Sequence, residues 1–130
     1  MEFHHIGIAT SDISLSAIAY EKFGYKLSTE IFYDPLQNVN IAFMEKLNSP
    51  VLELISPFNS TSPIMNILKK NGTMPYHICF EVADIENEVD RLKKMKYRLV
   101  TNIVPAIAFN NRLVCFLYNK DSGLIELLKK

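Results

Sequence analysis

The stretch Tyr76-His77-Ile78-Cys79-Phe80-Glu81-Val82, followed by Asp84-Ile85, decides the reading of this chain. It reads as a strand, after which Asp84 is a helix N-cap, because its carboxylate can accept a backbone N–H of the first turn. A helix from Ile85 to about Lys94 follows, with Ile85, Val89 and Leu92 on one face. Strands are then expected over Tyr97 to Thr101, Asn111 to Tyr118 and Leu124 to Leu128.

Moved back by 72 residues, the same pattern lies on the beginning of the chain without a gap. His77-Ile78 falls on His5-Ile6, Asp84-Ile85 on Asp12-Ile13, and Lys94 on Lys22. Tyr97, Arg98 and Leu99 fall on Tyr25, Lys26 and Leu27. Further on, Leu124-Ile125-Glu126-Leu127-Leu128 resembles Val51-Leu52-Glu53-Leu54-Ile55 at an offset of 73 (126 minus 53). The first half therefore reads as a strand over Phe3 to Ala9, a helix over Ile13 to Phe23 that Gly24 ends, and strands over Tyr25 to Tyr33, Val39 to Glu45 and Val51 to Ser56. Ser62-Pro63 opens a short helix, Ile64 to Lys70, which Asn71-Gly72 closes. The expected architecture is α+β: two tandem βαβββ modules, residues 1–58 and 75–130, joined by a connecting helix within 59–74, forming a curved mixed sheet in one domain.

Four residues stand out against this frame. Glu53 and Glu126 each sit inside an apolar run, the mark of a strand covered on both faces. A carboxylate there is costly unless it is paired, hydrogen-bonded or bound to a metal. His5 and His77 occupy matching places in the first strands, and the alternate positions Gly7 and Cys79 are small and leave space. A lone His in a strand is ordinarily a satisfied core residue, and a lone Glu an edge charge. The order His, Glu, His, Glu with the symmetry of the repeat points instead to a site where equivalent strands converge. Two imidazoles and two carboxylates suit one divalent ion, and Zn²⁺, Ni²⁺, Co²⁺, Mn²⁺ and Fe²⁺ are all compatible. His4 falls on the opposite strand face from His5 and reads as structural or exposed; Phe43 and Phe116 read as core.

The bulk composition excludes several classes. Fourteen Lys plus Arg balance fourteen Asp plus Glu, which argues against a nucleic-acid binder. The one basic cluster, Arg91, Lys93, Lys94, Lys96 and Arg98, reads as a solvated helix face and its exit. No apolar run approaches a membrane span, and no signal peptide is expected at Met1-Glu2-Phe3. Cys79 and Cys115 make no disulfide framework, which points to a cytoplasmic protein with both thiols reduced and structural.

The runs His5-Ile6-Gly7-Ile8-Ala9 with Asp12, Tyr76 to Val82 with Asp84-Ile85, and Gly123-Leu124-Ile125-Glu126-Leu127 resemble the vicinal oxygen chelate superfamily, which includes glyoxalase I, methylmalonyl-CoA epimerase, extradiol dioxygenases and bleomycin-resistance proteins. Ser62-Pro63-Ile64, Lys70-Asn71-Gly72 and the Tyr-His-Ile-Cys strand look most like methylmalonyl-CoA epimerases. The resemblance implies a glyoxalase-like fold, with His5, Glu53, His77 and Glu126 as the metal ligands. It also implies a reaction that removes a proton next to a carbonyl through a metal-stabilised enolate, with Glu53 and Glu126 as acid and base. The implied partners are a small-molecule substrate such as an acyl-CoA thioester and a second copy of the chain in a homodimer. Asn110, Asn111 and Arg112 are candidates for holding an anionic end of the substrate, against the plainer reading of a polar turn. Two alternatives stay open: a glyoxalase I-like lactoylglutathione lyase, and a non-catalytic, resistance-type binder of small molecules. For the lyase, Ile6 to Thr10 lacks the Arg that glyoxalase I carries early in its first strand, and the chain has no Trp.

Overall fold

A computed structural model describes all 130 residues. The first half runs β1 (Glu2–Ala9), α1 (Ile13–Glu21), β2 (Lys26–Leu27), β3 (Phe32–Asp34), β4 (Val39–Glu45) and β5 (Val51–Pro57). The connecting helix is α2 (Met65–Asn71). The second half runs β6 (Met74–Val82), α3 (Ile85–Lys94), β7 (Arg98–Leu99), β8 (Val104–Ala106), a 3₁₀ turn (Ile107–Phe109), β9 (Arg112–Asn119) and β10 (Gly123–Lys129). The α+β class and the repeated unit are those expected, and the chain divides into two compact units. One is His5–Tyr76; the other joins Met1–His4 to His77–Lys130.

Within His5–Tyr76, β1 pairs parallel with β5, β5 antiparallel with β4, and β4 antiparallel with both β2 and β3. The other unit repeats the plan: β6 pairs parallel with β10, β10 antiparallel with β9, and β9 antiparallel with β7 and β8. Asp12 Oδ1 accepts the N–H of Leu15, and Asp84 Oδ1 that of Asn87, so both capping carboxylates act as the sequence suggests.

Side chains alternate across a strand, and each unit uses its two faces differently. One face lies under the helix. Ile8, Ala42, Met44, Leu52 and Leu54 pack there with Ile13 and Ala17 of α1. In the second unit Val82, Cys115, Leu117 and Leu127 pack with Ile85, Val89 and Leu92 of α3. The alternate residues, among them His5, Phe43 and Glu53 in one unit and His77, Phe116 and Glu126 in the other, point to the opposite face.

Two differences from the expected elements occur at matching places. The strands expected over Tyr25 to Tyr33 and Tyr97 to Thr101 are each cut short, because the chain leaves the ladder and a threonine side chain takes over. Thr29 Oγ1 accepts the N–H of Phe43, and Thr101 Oγ1 that of Phe116, each at 2.9 Å. The strand β8 and the 3₁₀ turn after it were not expected from the sequence. β8 is a short edge pairing on β9, where a proline is tolerated.

Helix exits also match. Gly24 and Lys96 are equivalent in the repeat and both have positive φ, 89° and 68°. A Cβ on Gly24 would meet nothing closer than Lys46 Cε at 3.4 Å, so a side chain there costs conformation rather than space. Gly24→Ala is expected to lower stability by about 1 kcal/mol, and Lys96→Gly to raise it by up to about 1 kcal/mol. Urea midpoints at unchanged m-value check both signs.

Candidate functional site

The register of β1 on β5 sets Glu53 across from Gly7, two residues beyond His5 on the same face. Because Gly7 has no side chain, the imidazole and the carboxylate meet diagonally, with His5 Nε2 3.0 Å from Glu53 Oε2. In the second unit the register of β6 on β10 sets Glu126 across from Cys79. His77 Nε2 stands 3.2 Å from Glu126 Oε2. All four residues are buried, at 0% exposed for His5, 3% for Glu53, 3% for His77 and 2% for Glu126. Edge-strand charges would be wet, so burial removes the plainer reading of both glutamates.

Each half thus offers one imidazole nitrogen and one carboxylate oxygen about 3 Å apart in a dry setting. That spacing serves a hydrogen bond from Nε2–H to the carboxylate. It also serves two donors on one ion, because ligands at right angles and about 2.1 Å from a metal lie about 3 Å from each other. The donor set and its burial fit a divalent ion, and burial beside an imidazole gives each carboxylate the partner it needs.

Phe43 and Phe116, read from the sequence as core on strands that could line a cavity, stand beside these pairs. Phe43 lies across from Glu53 on β4, and its ring meets that of His5 edge to face at 6.0 Å. Phe116 lies across from Glu126 on β9 and meets His77 in the same way at 5.2 Å. Their separation is 73 residues (116 minus 43), the offset of the two glutamates, and that coincidence was readable in the sequence.

Asn110 and Asn111 are exposed and take left-handed backbone conformations, with φ of 54° and 63°, between the 3₁₀ turn and β9. Arg112 has its charge met within the fold. Its Nη2 donates to Glu81 Oε1, and its Nε donates to the carbonyl of Lys129 at 2.6 Å. Its partners are therefore structural, and neither His77 nor Glu126 is among them. Cys79 and Cys115 are buried and form no disulfide, and burial, reinforced by the nearby Glu126 carboxylate, pushes the Cys115 thiol up to about 12, which makes it inert.

Comparisons with known proteins identify the family. The family model for the glyoxalase/bleomycin resistance protein/dioxygenase superfamily matches residues 4–116. The human mitochondrial methylmalonyl-CoA epimerase is 35% identical over 128 residues, 95% of this chain and 71% of that one. The ethylmalonyl-CoA/methylmalonyl-CoA epimerase of Cereibacter sphaeroides is 33% identical over 130 residues, 95% of this chain and 94% of that one. Among solved structures, methylmalonyl-CoA epimerase from Mycobacterium tuberculosis superposes with a TM-score of 0.84 at 26% identity, covering 98% of this chain and 87% of that one. These relatives are epimerases and not glyoxalase I, and the chain is an enzyme of the epimerase class. No helix is long and apolar enough to cross a membrane.

The Arg112 guanidinium holds the Glu81 carboxyl below its ordinary value of 4.5, by its hydrogen bond first and its charge second. A lowered carboxyl pKa stabilises the fold above the unfolded value, and that contribution is lost as pH falls through the folded value. Glu81→Gln is therefore expected to lower stability at pH 7 and to flatten the loss of stability below pH about 4.5. Thermal unfolding of both proteins from pH 7 to pH 3 reads the difference.

Proposed function

The chain belongs to the glyoxalase/bleomycin resistance protein/dioxygenase superfamily, and on that premise we propose that it is a metal-dependent epimerase of a methylmalonyl-CoA-like acyl-CoA thioester. The observation that carries this reading is the buried His–Glu pair, present once in each half of a chain whose relatives are epimerases. His5, Glu53, His77 and Glu126 would together hold one divalent ion. When bound, that ion supplies a Lewis acid for the substrate oxygens next to the reacting carbon.

The reacting carbon of such a thioester lies between two carbonyl groups and is weakly acidic. Inverting it requires a proton to leave one face of the carbon and another to arrive on the opposite face. On this reading Glu53 and Glu126 serve the two faces, and their equivalence in the repeat supports it. One Oε2 accepts the departing proton and the other carboxylic acid returns one. In the ion-free protein, His5 and His77 hold the carboxylates through Nε2. Burial excludes water from the planar intermediate that exists between the two transfers.

Asn110 and Asn111 would meet the anionic end of the substrate with their amides, and Arg112 would join them by exchanging Glu81 for it. On this reading Asn110→Ala with Asn111→Ala raises KM several-fold at unchanged kcat. The superfamily resemblance adds a homodimer to the proposal, and the two thiols without a disulfide add a cytoplasmic location.

Methylmalonyl-CoA in D₂O is expected to take up deuterium at its second carbon with the protein present. Glu53→Gln and Glu126→Gln are each expected to slow that uptake by about a hundredfold or more. Full activity in both variants would sink the acid/base assignment. Elemental analysis is expected to find about one divalent ion per chain, lost in His5→Ala and in Glu126→Ala. A protein that holds no ion after incubation with Co²⁺, Ni²⁺, Mn²⁺ and Zn²⁺, and exchanges no deuterium, is a binding module instead.

A further inference from the structure

Each half carries the same chain of contacts leading to its imidazole, and the chain begins outside the site. In the first unit, Ser28 N–H donates to the carbonyl of Phe43 at 2.9 Å, the last ladder bond before the strand ends. One residue on, Thr29 turns its hydroxyl back, and Oγ1 accepts the N–H of Phe43. Both backbone groups of Phe43 on that side are thereby tied, while its other side is paired to β5 across from Glu53. The ring of Phe43 then rests edge to face, at 81°, against His5.

The second unit repeats every link. Val100 N–H donates to the carbonyl of Phe116 at 2.7 Å, and Thr101 Oγ1 accepts the N–H of Phe116. Phe116 pairs across from Glu126, and its ring meets His77 at 80°. A core phenylalanine needs no such fixing, and a ladder can run on without a threonine. Finding both at equivalent positions, and only where the chain faces a buried His–Glu pair, gives them a common purpose.

We propose that Thr29 with Phe43, and Thr101 with Phe116, are positioning residues that fix the ring plane of His5 and His77 so that Nε2 addresses the glutamate. The torsion that turns an imidazole about its own axis is soft, with two broad wells. An aromatic ring packed edge to face against the imidazole holds its plane, and the threonine bond keeps that aromatic ring in place. The geometry stands in the protein alone; its use in holding an ion rests on the function proposed above.

The test uses Phe43→Leu, Phe116→Leu, Thr29→Val and Thr101→Val, with Thr29→Ser and Thr101→Ser as variants that keep the hydroxyl. Co²⁺ affinity is expected to fall about tenfold in the Leu and Val variants, the scale seen when a ligand loses its orienting partner, and to be retained in the Ser variants. In the metal-free protein, ¹⁵N spectra of the imidazoles are expected to show one fixed tautomer for His5 and His77, averaging in the Leu variants at the matching histidine only. Circular dichroism at the working temperature confirms that the variants read are folded. Parent-like Co²⁺ affinity and parent-like imidazole spectra in both Leu variants would overturn the inference. A parent protein that binds no Co²⁺ defeats the metal reading instead, and the metal-free spectra still decide this one.

Discussion

A carboxylate inside a doubly covered strand is the constraint around which each half of this protein is arranged. Leaving it charged and alone would cost several kcal/mol, so the local structure is built to give it company. The residue across the parallel ladder is small, Gly7 for Glu53 and Cys79 for Glu126. That leaves the diagonal open to the imidazole two residues earlier, His5 or His77. The residue across the antiparallel ladder is a phenylalanine whose ring meets that same imidazole. Removing any one of these leaves the others without their reason.

The alternation of strand side chains keeps this arrangement apart from the hydrophobic core. Residues under the helix are apolar in both halves and need only fill space, and there the halves have exchanged volume freely. Ala17 and Ala42 stand where the second half has Val89 and Cys115, while Tyr20 stands where it has Leu92. The helices differ as well. α3 carries Glu86 and Glu88 in its first turn and Arg91, Lys93 and Lys94 in its last, matching the helix dipole. α1 has no acidic first turn and no basic last turn, and it leaves Leu15 and Ile18 exposed. Its stability comes from Asp12 and from packing. What the two halves share lies on both faces: the His–Glu pair with its phenylalanine on one, and Ile13, Tyr25 and Leu54 with their counterparts Ile85, Tyr97 and Leu127 on the other.

This division explains what the sequence could reveal. His5, His77, Glu53 and Glu126 were legible because a charged or titratable residue in an apolar strand is conspicuous, and doubly so when repeated. The helix caps at Asp12 and Asp84 were legible because they act over three residues. The strand breaks at Thr29 and Thr101 were not, because the bonds that cause them join residues 14 and 15 positions apart. The pairing of Arg112 with Glu81 was not legible for the same reason, since the two lie 31 residues apart in sequence. Phe43 and Phe116 were visible as apolar residues, but their contact with the imidazoles depends on a register that no local pattern states.

The symmetry of the site bears on the kind of reaction it suits. An epimerase interconverts two molecules of nearly equal free energy, so neither direction of proton transfer is favoured and both faces of the carbon must be served alike. Two acid/base groups of unequal strength would trap the proton on the stronger one. Glu53 and Glu126 have matched surroundings: an imidazole Nε2 at 3.0 or 3.2 Å, a phenylalanine across the strand and almost complete burial. A duplicated fold produces that match without separate tuning of each carboxylate. The repeat thus suits the proposed epimerisation, while the choice of that reaction over others of the superfamily rests on the likeness to known epimerases.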